Sequence, residues 1–259
     1  SDVYKRQDYN YQQVIKMRNY VFDFTHCYRG DNAQLTYYDC SDIEGTRLFC
    51  DKQAEKQLKE MIHKNGISGI HFIDSGDYHY ITKLMTDFIQ EPFDLVLIDH
   101  HTDMQSSIVG DMLSCGNWAK KALHNPFLHR LYLIGPNKHD LKNMEHKEKV
   151  LTISIEELEQ GVTIPLETKY PVYISIDKDV LDERYAMTNW NQGEMSLGML
   201  EGVLAHFLRN CEVIGIDICG DDPDIDDYPT YIKAERINNI SDDALYQTAM
   251  KILKRRRKK

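Results

Sequence analysis

Six short, nearly unbroken apolar runs constrain this chain most: Ile70–Ile73, Leu95–Ile98, Leu131–Ile134, Val150–Ile153, Val172–Ile176 and Val213–Ile216. A strand with one wet face alternates apolar and polar residues. These runs do not alternate, so both of their faces are covered, as in a parallel sheet packed between helices. Helical spacing fills the gaps at Lys52 to Lys64, Tyr80 to Ile89 and Leu197 to Leu208. A fourth helix is predicted to start at Ser241, which can cap it while Asp242 and Asp243 favour its positive end. The β-α-β-α order predicts an α/β fold with three layers, α/β/α, around an open, mostly parallel sheet.

No repeat, linker or composition break divides residues 1–259, so one domain is expected. Residues 1–49 are the least readable. Asn19 to Thr25 reads as an edge strand, Tyr37 to Thr46 as a loop or cover, and Gly220 to Pro229 as a loop. The basic tail, residues 254–259, reads most simply as a solvated, fraying helix end. With 42% apolar and 28% charged residues the chain can bury a sizeable core. No apolar run approaches the roughly 18 residues that cross a bilayer. The net charge of −10 argues against nucleic acid as a partner. Six scattered cysteines without a CxxC suit a reducing compartment, and the expected location is the cytoplasm. A small-molecule substrate is the expected partner, and a homo-oligomer is compatible with the sequence.

In sheets of this kind ligands bind at the carboxyl ends of the strands. Leu95–Ile98 runs into Asp99, His101 and Asp103, and Val172–Ile176 runs into Asp177 and Asp179. Ile70–Ile73 leads to His79. In extended backbone, positions i, i+2 and i+4 share a side, so each set is expected to converge if extension persists past the strand. Four carboxylates at one sheet edge repel severely without cations. Their mixture with imidazole suits Mn²⁺, Zn²⁺ or Fe²⁺ better than Ca²⁺, and six ligands exceed what one catalytic zinc takes. Two divalent ions with shared carboxylates fit better.

D-x-H-x-D at Asp99–Asp103, S-x-D-x-D-x-x-D at Ser175–Asp182 and G-x-x-H at Gly76–His79 together resemble the arginase/agmatinase (ureohydrolase) family. The resemblance covers about residues 66–223 and implies an arginase-like fold. It implies two manganese ions, one on His79, Asp99, Asp103 and Asp177, the other on His101, Asp99, Asp177 and Asp179. It further implies a hydroxide between them that attacks an electrophilic carbon.

The family's substrate residues transfer less cleanly. Ala119 stands where arginases carry the histidine of S-G-N-x-H, in the run Cys115-Gly116-Asn117-Trp118-Ala119. Gly220 stands where the guanidinium-gripping glutamate of E-x-N-P would be, in Gly220-Asp221-Asp222-Pro223. The expected function is therefore a binuclear hydrolase of a non-peptide C–N bond whose substrate is not arginine. Asn117, Trp118, Asp221 and Asp222 are the substrate-side candidates. Asp103, with one oxygen left off the metal, is the candidate to carry the proton in place of the absent histidine. The alternatives are a deacetylase-like amidohydrolase with one zinc, and a metal-binding module without catalysis.

Overall fold

The computed structural model describes residues 17–28, 34–107, 110–142, 144, 147–165 and 169–256. In chain order the strands are β1 (Tyr20–Asp23), β2 (Thr36–Asp39), β3 (Phe49–Cys50), β4 (Ile70–Phe72), β5 (Phe93–Ile98), β6 (Leu113–Ser114), β7 (Leu128–Gly135), β8 (Val150–Ser154), β9 (Val172–Asp177) and β10 (Val213–Cys219). Eight form one sheet in the order β2-β1-β4-β10-β9-β5-β7-β8, and every pairing in it is parallel. β3 and β6 form a small antiparallel pair beside it.

The helices are α1 (Lys52–Asn65), α2 (Ile81–Thr86), α3 (Trp118–Ala122), α4 (Lys138–Lys142), α5 (Ile155–Glu159), α6 (Leu197–Asn210) and α7 (Tyr228–Arg256). The unbroken apolar runs have the expected cause, visible in β5. Leu95 and Leu97 join a core with Leu58 and Ile62 of α1 and Leu84 of α2, while Val96 and Ile98 join the opposite core with Leu204 of α6 and Leu245 of α7. All four β5 residues are fully buried. Each such side chain stabilises the fold by about 1.5–3 kcal/mol relative to exposure. The sheet thus needs helices on both faces, and it has them.

Local signals set the helix starts. Asp51 Oδ1 accepts the Gln53 and Ala54 amides at 2.8 Å to open α1, and Ser196 Oγ accepts the Met199 amide at 3.2 Å to open α6. Two expectations need correcting. The last helix begins at Tyr228, not at Ser241. Ser241 lies inside α7 with its hydroxyl on the Tyr185 carbonyl, and Asp242 meets a buried lysine. Their polarity serves tertiary contacts rather than a helix end. The span Tyr37 to Thr46 contains most of strand β2, which is the sheet edge, so β1 lies one place inside it. β2 was illegible because its side chains are mostly exposed and give no buried run. Residues 257–259 of the basic tail lie outside the described residues. Among the described residues no helix is long and apolar enough to cross a membrane, and the six cysteines are free.

Candidate metal centre

β4, β10, β9 and β5 are neighbours at the middle of the sheet, and their carboxyl ends share one edge. Asp99 follows β5 and keeps its amide on the Ile134 carbonyl at 3.0 Å. Its Oδ1 then accepts the His101 amide at 2.6 Å, which turns the chain. Asp103 has φ +50°, a left-handed conformation that Asp tolerates better than most residues. Asp99, His101 and Asp103 therefore converge through a folded loop, not through continued extension. The same correction applies to β9. It ends at Asp177, and Lys178–Val180 form a 3₁₀ turn in which Asp177 Oδ1 accepts the Asp179 amide at 3.0 Å. His79 follows a short 3₁₀ turn, Gly76–Tyr78.

The six side chains meet in two overlapping groups. His79 Nδ1 lies 3.4 Å from Asp99 Oδ2, 3.2 Å from Asp103 Oδ2 and 3.4 Å from Asp177 Oδ2. His101 Nδ1 lies 2.8 Å from Asp179 Oδ2 and 3.7 Å from Asp99 Oδ1. All are buried except His101, whose side chain is 32% exposed. Asp99 Oδ2 is buried and has no hydrogen-bond partner. Burial, then the charge of Asp99, pushes the Asp103 carboxyl up to about 6. A crowded, partly orphaned carboxylate cage with two imidazoles fits a pair of divalent cations. The first would rest on His79, Asp99, Asp103 and Asp177, the second on His101, Asp99, Asp177 and Asp179.

Surrounding groups fix the orientation of these donors. His79 Nε2 meets Ser175 Oγ at 2.8 Å, which leaves Nδ1 for the cage. Ser175 Oγ lies 2.9 Å from Thr82 Oγ1, whose hydroxyl donates to Asp217 Oδ2 at 2.8 Å. Asp217 in turn holds His71 Nδ1 at 2.8 Å, so His71 is a core histidine. His100, half-buried, gives its amide to Asp179 Oδ1 at 3.2 Å and stays off the cage. The Cys115 thiol borders the cleft and is pushed up to about 12 by burial, which suits a wall rather than a nucleophile.

The substrate-side candidates fall differently. Trp118 is fully buried behind the cage, and its indole N–H donates to Asp103 Oδ2. It orients a carboxylate and presents no wall to the cleft. Asn117 is also buried, and it bonds the Ser114 amide and the Met112 carbonyl. Asp221 is buried against Lys178 Nζ at 2.9 Å. Asp222 accepts the Asp224 amide at 3.0 Å and does not line the cleft. The wall is Trp190, which sequence reasoning missed. Together with Gln105, Cys115 and Gly116 it narrows the space over the cage to about 30 Å³. Trp190 packs so closely on Gly76 that a Cβ there would lie 2.9 Å from its ring. Asp77 anchors it, accepting the Trp190 and Asn189 side chains at 2.9 and 3.1 Å and Arg47 Nε at 2.9 Å. Only an aromatic residue in an otherwise polar segment marked this position in the sequence.

A parallel eight-stranded sheet with a histidine–carboxylate cage at the carboxyl ends of its central strands defines the ureohydrolase-like α/β/α class. The agmatine ureohydrolase of Thermoplasma volcanium has this fold, with a TM-score of 0.61 at 18% identity over 92% of each chain. So does the formimidoylglutamase of Bacillus subtilis, at 0.63 and 16% over 93% of this chain and 89% of that one. An uncharacterized protein of Thermotoga maritima is 30% identical over 197 residues, 76% of this chain and 75% of its own length. This chain belongs to the Arginase family, whose match spans residues 11–238.

Proposed function

We propose that the chain uses two divalent ions to hydrolyse a non-peptide C–N bond in a small molecule other than free arginine. The observation that carries this is the pair of donor groups sharing Asp99, one closed by His79 and Asp103, the other by His101 and Asp179. A one-zinc, deacetylase-like site has no use for the second group. Mn²⁺ suits the nitrogen and oxygen donors. Bound there, the ions would supply an ionised water as nucleophile and draw electron density from the carbon it attacks. Asp103 keeps Oδ2 on the Trp118 indole, so Oδ1 is the atom available to carry a proton to the leaving amine. Trp190 and Gln105 exclude water and limit what reaches the cage.

The substrate limit follows from charge. Among the described residues the carboxylates lining the cleft all belong to the cage, and Asp221 is committed to Lys178. A guanidinium desolvated there lacks its partner, which costs several kcal/mol, about 1–3 for the lost hydrogen bond alone. Urea release from free arginine is expected to be barely above background, and ordinary turnover would refute this. Gly220→Glu is not expected to restore it. Gly220 has φ +106°, and a Cβ there would lie 2.6 Å from Asp177 Oδ1 and 2.8 Å from the Lys178 amide.

The deciding experiment is metal analysis followed by a screen of guanidino, ureido, formimino and acetylamino compounds for metal-dependent hydrolysis. Two bound ions with no hydrolysis of any compound would turn the reading to a non-catalytic metal-binding module. With the best substrate found, Trp190→Ala should raise KM about tenfold, the worth of one aromatic contact, and leave metal content unchanged. An unchanged KM would remove Trp190 from the substrate wall.

A further inference from the structure

We propose that Cys219 supplies a thiolate to the ion held by His79, so that the two positions of the centre prefer different metals. The inference rests on the two-metal reading above. Cys219 ends β10 and pairs in register with Asp177 at the end of β9, so the two side chains stand on the same face of the sheet. Its Sγ lies 3.3 Å from Asp177 Oδ2, the same oxygen that is 3.4 Å from His79 Nδ1. The donor atoms of His79, Asp177 and Cys219 all lie within 4.8 Å of one another, and all three residues are buried. Asp99 Oδ2, buried without a hydrogen bond, lies 3.4 Å from the same His79 Nδ1.

A thiol is a weak hydrogen-bond donor, and its contact with the backbone here is a long one, 3.7 Å to the Ile176 carbonyl. Set beside the His79 imidazole and the Asp177 carboxylate, it has the placement of a ligand as well as of core packing. The position by His101 differs, because Asp99, His101 and Asp179 bring only nitrogen and oxygen. Soft sulfur selects Zn²⁺, Co²⁺ or Fe²⁺ over Mn²⁺, whereas carboxylate-rich sites accept Mn²⁺ readily. The centre is therefore mixed, with a thiophilic ion beside His79 and Mn²⁺ beside His101. As the S–metal bond forms, the S–H bond breaks and its proton leaves to bulk water.

Metal-free protein reloaded with Co²⁺ tests this directly. Wild type should show a near-ultraviolet sulfur-to-cobalt charge-transfer band. Cys219→Ala, at equal cobalt content, should lack it, and Cys115→Ser, which alters the thiol bordering the cleft, should keep it. Zn²⁺ affinity at the His79 position should fall more than about a hundredfold in Cys219→Ala, beyond what loss of an outer partner costs, with Mn²⁺ binding at the other position unchanged. Two cobalt ions per wild-type chain without a sulfur band would overturn the thiolate and leave the two-metal reading standing. No bound ion in wild type would overturn both. Should Cys219→Ala misfold, Cys219→Ser takes its place, and the wild-type spectrum still decides.

Discussion

Asp177→Asn is expected to leave the chain unable to hold either ion tightly, with affinity down more than about a hundredfold, beyond what loss of an outer partner costs. The substitution is nearly isosteric. Asparagine keeps an oxygen for the Asp179 amide, now 3.0 Å away, so the turn after β9 should survive. What disappears is one charge that both proposed ion positions would share. In wild type, free metal at a hundred times Kd should stabilise the fold by about 2.7 kcal/mol, and a chelator should remove that gain. The variant should show no such response. Under chelator the order should reverse, with Asp177→Asn the more stable protein, because it relieves repulsion among buried carboxylates. Elemental analysis and denaturant midpoints with and without chelator check both halves. Equal metal content in variant and wild type would sink the assignment. A variant less stable under chelator would show that the carboxylates do not repel as described.

The sequence was most legible where chemistry and burial coincide. The runs through β4, β5 and β9 are apolar because both faces are covered, and each leads directly to polar residues that an apolar edge would not tolerate without purpose. His79, Asp99, His101, Asp103, Asp177 and Asp179 could be named from that junction alone. How they converge was not legible, because extension was assumed where 3₁₀ turns and a left-handed Asp103 do the work. Trp190 and Cys219 were missed for a related reason. Trp190 reaches the cleft through Asp77, which lies 113 residues away, and Cys219 through the pairing of β10 with β9. No local period encodes either contact. Trp118 and Asp221 sit in the right neighbourhood but face inward. Nearness in sequence to a site residue says little about which side of the backbone a side chain takes.

Lys178 shows this best and leads to the second large effect. It lies between Asp177 and Asp179, yet its side chain turns away from the cage and is fully buried. Its ammonium meets Asp221 at 2.9 Å and Asp242 at 2.8 Å, tying the turn after β9 to the loop after β10 and to α7. Burial alone would lower the lysine, but Asp221 and then Asp242 outweigh it and hold Lys178 above its ordinary value. Burial pushes the Asp242 carboxyl up to about 7, against the pull of Lys178. Lys178→Met strands two buried carboxylates, and near pH 8 it should cost about 3–5 kcal/mol, the typical loss when one member of a buried ion group is removed.

The sign with pH follows. A carboxyl whose folded value is raised takes up protons more readily when folded, so its contribution is full below the unfolded value near 4 and fades as pH rises through the folded value. Without Lys178 the Asp242 carboxyl rises further, so the penalty should shrink toward pH 5 and grow toward pH 8. Denaturant midpoints of variant and wild type across that range measure it, with chelator present in both to remove the metal's own pH dependence. Adding Asp221→Asn and Asp242→Asn to Lys178→Met should recover most of the loss, since no charge is then left buried without a partner. A single variant within about 0.5 kcal/mol of wild type at pH 8 would mean the three groups are solvated and bind nothing together. A penalty that does not change with pH would mean Lys178 acts through its packed stem rather than its charge.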